Sequence, residues 1–290
     1  MPGTFSDSWK LTKTAFRMIR EDRSLLVFPL VAGLATIAVI GLLIAAEYWF
    51  VAPVIEGGGS FTTGYEALGL LLFLVAYFGA TLVSVYCTAA LIGAATLKLD
   101  GQHPSTADGW RAARARLGRL VLWALVTATV GLVIQAIQRR VGGLAGGIIG
   151  LAGGATWGVL TYFILPILLF EDQGAWASLK RSGHLFVSTF GRTLVSNLAL
   201  GLLIGAGIVV AVLLGFGGIY LLFSGSVALG LTLLGVAIAF GVIVALIGSA
   251  AEGILRAALY RYATTGKIDP DLLPKGYAGS LPSSAGAPLG

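Results

Sequence analysis

Few side chains in this sequence are of a type and spacing that could do chemistry. Of the 13 Asp and Glu in 290 residues, those set against apolar runs are Glu47, Glu171, Asp172 and Glu252. Glu252 precedes Arg256 by four residues, so a helix puts both on one face with the acid first, the favourable order for a local ion pair. A proton or cation site is the other use of such a pair. Glu171 and Asp172 close an apolar run and have Lys180 and Arg181 within reach. An enzyme acting on lipid headgroups would need these two carboxylates to converge with His184. The two histidines, His103 and His184, have no Cys or carboxylate trio near them, so no metal site is expected. Cys87, the single cysteine, lies inside an apolar run and reads as a small buried side chain. Phosphate loops of the Gly-Lys-Ser/Thr type, His-Glu-x-x-His and the nucleophile elbow are all missing. No catalytic or cofactor-binding residue is assigned, no cofactor is expected, and the chain does not read as an enzyme.

A glycine series is the most specific pattern. Gly142, Gly146, Gly150, Gly154 and Gly158 recur every fourth residue, flanked by Gly143, Gly147 and Gly153. On a helix that spacing makes a nearly continuous stripe, against which a second helix can approach closely. Lining a narrow path is the other use of the surface, but no ring of polar groups accompanies it. Pro166 falls in the same run and, lacking a backbone N–H, should kink the helix. Gln135 and Asn197 are lone amides suited to hydrogen bonds between helices.

The elements that carry these residues are apolar runs. Hydrophobic residues make up 57% of the chain and charged ones 11%, where an ordinary globular domain carries about 25% charged residues. Mean hydropathy is +0.92. Six runs, at about 25–51, 67–97, 117–138, 144–170, 193–223 and 226–251, each reach the roughly 20 residues needed to cross hydrocarbon. None alternates in the manner of a strand, which excludes a β-barrel. The expected fold is all-α: a polytopic transmembrane helical bundle over 25–266, preceded by a basic amphipathic helix in 1–24 and followed by a Pro/Gly/Ser-rich tail over 267–290 that is expected to be largely disordered.

The cations orient it. Of 19 Lys and Arg, only Arg139 and Arg140 lie in connections on one side; the rest share the other side with both termini. The positive-inside rule then puts the chain in the cytoplasmic membrane with both ends inside. Three inner segments begin with a Trp followed by cations: Trp9, Lys10, Lys13 and Arg17; Trp110, Arg111 and Arg114; Trp176, Lys180 and Arg181. Each reads as an amphipathic helix along the inner interface, since Trp prefers the headgroup region and cations favour anionic lipid. The expected partners are therefore membrane lipids, anionic at the inner face, with a protein partner or a second copy as further options. The formal charge of +6 sits in short loops and not on a polar domain, so nucleic acid is not expected.

Two stretches carry a resemblance. One is Asp22-Arg23-Ser24-Leu25-Leu26-Val27-Phe28-Pro29-Leu30; the other is Leu165-Pro166-Ile167-Leu168-Leu169-Phe170-Glu171 followed by Ala177-Ser178-Leu179-Lys180-Arg181-Ser182. Together they resemble uncharacterised prokaryotic six-span membrane families of unknown function. The second is also similar to the membrane region that accompanies some bacterial glycerophosphodiester phosphodiesterases. The catalytic domain of those enzymes is absent, so the resemblance implies a membrane bundle with interfacial inner helices and no assigned reaction. The reading that follows is a structural or accessory protein engaging lipid or a partner through its inner face; the alternative is a small-solute channel or transporter.

Overall fold

The computed structural model describes residue 13, residues 15–56 and residues 63–265, with the side chains at 47, 50–56, 63–66 and 189–199 excepted. Trp9, Lys10 and the tail, and the side chains of Glu47 and Asn197, lie outside the described residues. Every regular element among the described residues is helical. After a helical stretch at 15–21 and a 3-10 turn, Arg23–Leu26, come α1 (Val27–Glu56), α2 (Thr63–Leu99), α3 (Thr106–Ala115), α4 (Leu117–Val141), α5 (Gly143–Thr161), α6 (Ile164–Phe170), α7 (Ala175–Phe223) and α8 (Val227–Thr265). Six stretches have the length and composition to cross a membrane: Arg23–Ala46, Ala67–Leu99, Leu117–Val141, Gly143–Phe170, Leu200–Phe223 and Val227–Thr265. The protein is an all-α polytopic membrane protein.

Two differences from the sequence reading have simple causes. The third Trp-plus-cation segment is not a separate helix: α7 runs unbroken from Ala175 to Phe223, and no proline stands between residues 186 and 193 to interrupt it. The fourth span is not one helix but two, α5 and α6. Pro166 has no N–H for the Tyr162 carbonyl and its ring crowds that carbonyl, so the chain breaks just upstream, at Tyr162 and Phe163.

The chain packs as two compact units. One comprises, among the described residues, those up to Pro29, Ala94–Thr106 and those from Leu185 onward. Its entry is fixed by Asp22, whose carboxylate accepts from the Ser24 N–H at 3.0 Å and pairs with Lys98 at 3.1 Å. Partial burial raises the Asp22 carboxyl, but the hydrogen bonds from Ser24 and Lys98 outweigh it and hold the group below its usual range. Leu25 and Phe28, in the first of the two quoted stretches, are buried. Asp100 pairs in turn with Arg261. The buried side chains of α8 crowd into residues 250–260, whereas Leu231, Val236, Ile238, Val242 and Ile243 stay exposed, as suits a surface facing hydrocarbon.

Within this unit α7 and α8 form an antiparallel hairpin. Gly225 turns it with φ +89°; the Ser226 N–H donates to Leu221 O and the Gly225 N–H to Leu222 O, satisfying the last carbonyls of α7 in a Schellman arrangement. Four glycines then admit large side chains. A Cβ at Gly207 or Gly248 would lie 2.9 or 2.7 Å from Val244 or Ile204, and one at Gly218 or Gly230 would lie 2.7 Å from Leu234 or Leu222.

The second unit comprises residues Leu30–Gly93 and Ala107–His184. Here α4 and α5 form a hairpin with Trp123 and Trp157 stacked across it at 5.7 Å. The short α3 docks on α2 through small residues: a Cβ on Gly93 would stand 2.9 Å from that of Ala112, and Gly109 and Ala113 are buried. Trp110 of α3 stacks on Tyr86 of α2 at 5.5 Å. The apolar α6 is enclosed along nearly its whole length, from Ile164 to Leu169.

Candidate functional site

Five charged side chains of the second unit, Arg116, Arg119, Glu171, Asp172 and Arg181, gather where α4 begins and α6 ends. Arg116 immediately precedes α4 and Arg119 lies in its first turn; Glu171 and Asp172 follow α6, which α5 and Pro166 have brought to this level. Arg116 Nε donates to Leu169 O at 3.3 Å, and an Arg119 guanidinium N–H donates to Glu171 O at 3.0 Å. The carbonyls left unpaired by the end of α6 are thus capped by cations, as the helix dipole favours. Both guanidiniums then reach a single oxygen, Asp172 Oδ1, Arg116 at 3.1 Å and Arg119 more closely still. Glu171 turns the other way, to Arg181 at 3.4 Å, and accepts from Gln173 Nε2 at 3.1 Å.

Hydrogen bonding from Arg119, then the charges of Arg119 and Arg116, hold the Asp172 carboxyl below the usual carboxylate range. A folded-state value below the unfolded one means that the stabilising contribution is complete above the ordinary Asp value, about 3.9, and is lost as pH falls through the lower folded value. Carboxyl-carbon NMR of the protein in micelles should therefore place the Asp172 midpoint below that of the same residue in the denatured chain. A midpoint at or above the denatured value would mean that the clamp is not formed.

Above this cluster, α7 supplies two serines one turn apart, both fully enclosed. Ser182 Oγ accepts the Phe163 N–H at 3.0 Å, which is the donor orphaned by the break between α5 and α6. Ser178 Oγ has no hydrogen-bond partner. Lys180 of the same helix lies 5.7 Å over the ring of Trp176, which is 70% exposed. Arg111, paired to Asp108 at 3.2 Å, is 79% exposed, and Arg114 also points to solvent.

The glycine series is divided by the fold. Gly142 is not on a helix; it stands in the turn between α4 and α5 with φ +67° and ψ 177°, a region only glycine adopts readily. Gly146 and Gly150 are buried against α4, where an added Cβ would meet the Gln138 carbonyl at 2.5 Å or the Gln138 side chain. Gly154 and Gly158 face open space. A four-residue step overshoots the helical turn by about 40°, so a strict series winds off any straight partner. The contact line instead runs Gly146, Gly150, Gly153, Trp157.

Glu252 and Arg256 pair on α8 as their spacing implies. Gln135 is half-buried and His103 and His184 are exposed. Among the described residues no His, Cys and carboxylate group is arranged to hold a metal, and no hydrogen bond joins His184 to Glu171 or Asp172. Near the N-terminus, Lys13, Arg17 and Arg20 are exposed while Ala15, Met18 and Ile19 are buried.

Sequence reasoning missed the clamp. It offered Lys180 or Arg181 to both Glu171 and Asp172; Arg181 does pair with Glu171, but the partners of Asp172 lie 53 and 56 residues away. It also passed over Gly207, Gly218, Gly230 and Gly248, although the signal was present. Gly207 to Gly218 is three helical turns and Gly230 to Gly248 is five, so each pair shares a face.

A family model, described as a family of unknown function (DUF6159), matches residues 64–269, from the first turn of α2 to just past the end of α8. No curated protein matches the chain. The matched family agrees with the uncharacterised grouping that the two quoted stretches resemble; nothing bears on the phosphodiesterase resemblance, and it is carried no further.

Proposed function

We propose, from the premise that the chain belongs to the family of unknown function DUF6159, that it is a structural or accessory protein of the cytoplasmic membrane, with both termini inside, engaging anionic lipid or a partner protein through its cation-bearing connections. One observation carries this reading. The exposed charged and aromatic groups, Arg111, Arg114, Trp176 and Lys180, stand at helix ends that are locked by ion pairs and buried packing, while the middles of the spans carry no Asp, Glu, Lys, Arg or His. A locked scaffold presenting cations at headgroup level is built to hold a surface, since each cation near an anionic membrane contributes about 1 kcal/mol.

Quenching of tryptophan fluorescence by brominated lipids tests it. In mixed phosphatidylcholine–phosphatidylglycerol vesicles the wild type should be quenched several-fold more efficiently by brominated phosphatidylglycerol than by brominated phosphatidylcholine. The triple variant Arg111→Gln, Arg114→Gln, Lys180→Gln should lower the ratio, given the loss of three surface cations. An unchanged ratio would sink the lipid reading.

The interruption between α5 and α6 favours one rival, a small-solute channel or transporter, because broken membrane helices often mark the substrate path of transporters. Gradient-driven solute flux in proteoliposomes, abolished by Ser182→Ala in protein that remains folded, would support it over the accessory role.

A further inference from the structure

The Arg116–Arg119 clamp holds more capacity than its present partner uses. A guanidinium offers five N–H donors in a planar fork matched to phosphate. Here one donor from each is spent on the carbonyls of Leu169 and Glu171, which fixes the two forks in place. The remaining contacts converge on one carboxylate oxygen, Asp172 Oδ1, and the whole acid is outermost: its side chain is 77% exposed, against about a third for each arginine. Two guanidiniums sharing a single oxygen is a poor use of bidentate groups; a phosphate diester presents two non-bridging oxygens, one for each fork. Glu171 is committed to Arg181 and Gln173, so the clamp keeps a surplus positive charge. It also lies at the right depth, since Arg116 abuts the span that begins at Leu117 and Asp172 follows by two residues the one that ends at Phe170, placing both in the headgroup layer that borders the hydrocarbon.

We propose that Arg116 and Arg119 form a binding site for the phosphate of an anionic membrane phospholipid, and that Asp172 occupies the phosphate position until lipid displaces it into water. The site rests on the lipid-engaging reading above and gives it a specific contact. A purely structural clamp, capping α6, makes the opposite prediction at Asp172: removing the carboxylate charge loosens the arginines and weakens whatever they hold.

The test uses the full-length protein in an uncharged maltoside detergent, titrated with short-chain phosphatidylglycerol and followed by thermal stabilisation, with short-chain phosphatidylcholine and inorganic phosphate titrated in parallel. Asp172→Asn should tighten phosphatidylglycerol binding roughly fivefold or more, because an internal competitor for a charge-assisted site is gone. Arg116→Gln with Arg119→Gln should weaken it roughly tenfold or abolish it, on the same ground. Should that double variant not fold, the Asp172→Asn arm decides alone. Equal or weaker lipid binding by Asp172→Asn overturns the site. So does inorganic phosphate that stabilises the protein as well as the lipid does and blocks it, since the ligand is then a free anion. Vesicle quenching separates the two levels: a wild type that keeps its phosphatidylglycerol preference while Asp172→Asn gains nothing loses this site only, whereas a wild type with no preference loses the lipid reading as well.

Discussion

Gly146→Ala should destabilise the protein by about 2 kcal/mol, the middle of the range for forcing extra atoms into a packed contact, while Gly154→Ala, two steps along the same series, should be neutral or stabilising by about 0.5 kcal/mol from helix propensity. The difference lies in what a methyl group meets. At Gly146 it would stand 2.5 Å from the Gln138 carbonyl oxygen, backbone that cannot rotate away. The same carbonyl accepts the Gly142 N–H at 2.9 Å and so closes the turn between α4 and α5; displacing it loosens the hairpin that Trp123 and Trp157 clasp lower down. At Gly154 the methyl meets nothing within 4 Å. Gly150 should fall between them, since its obstacle is the flexible Gln138 side chain. Denaturant or thermal unfolding in micelles reads the order directly; equal effects at Gly146 and Gly154 would contradict the contact line.

The second large effect is expected at Ser182. Ser182→Ala removes the acceptor of the Phe163 N–H at the break in the fourth span, leaving a donor buried in an apolar setting at a cost of about 1–3 kcal/mol. The helical register is interrupted there, and the carbonyl four residues back, Val159 O, already accepts the Tyr162 N–H at 3.4 Å. Ser178→Ala is the control. That side chain is equally enclosed and one turn earlier on α7, but its hydroxyl has no partner, so exchanging it for a methyl should leave stability unchanged or slightly raised. Exchange of the Phe163 amide with deuterium should accelerate in Ser182→Ala and not in Ser178→Ala. Matching behaviour of the two variants would mean that the hydroxyl does not cap the break.

How much of this was legible in the chain depends on the range of the interaction. The spans were, because twenty apolar residues have no alternative to hydrocarbon. The Glu252–Arg256 pair was, because both partners sit within one turn of one helix. Pro166 announced an interruption, though not that the break falls upstream at Tyr162 and Phe163, or that a serine from another helix caps it. The Arg116–Asp172–Arg119 clamp was not legible: Asp172 lies more than 50 residues from both arginines, and of the two nearer cations Arg181 pairs with Glu171 instead. The glycine series was legible in part, since Gly146 and Gly150 pack against α4 while Gly154 and Gly158 do not, and the reason is geometric. Regularity of four is conspicuous to the eye, yet close approach follows the 3.6-residue turn, and the tight glycines of α7 and α8 obey that period without looking periodic.

Cys87 lies 3% exposed on α2, and no other thiol exists in the sequence. Maleimides that react at the surface will pass it by, so the wild-type protein already serves as a silent background for site-directed labelling. A cysteine introduced at Gly225 and another at His103 would each carry the only reactive sulfur in its molecule, and a membrane-impermeant reagent applied to intact cells could then distinguish the two sides of the bilayer one position at a time.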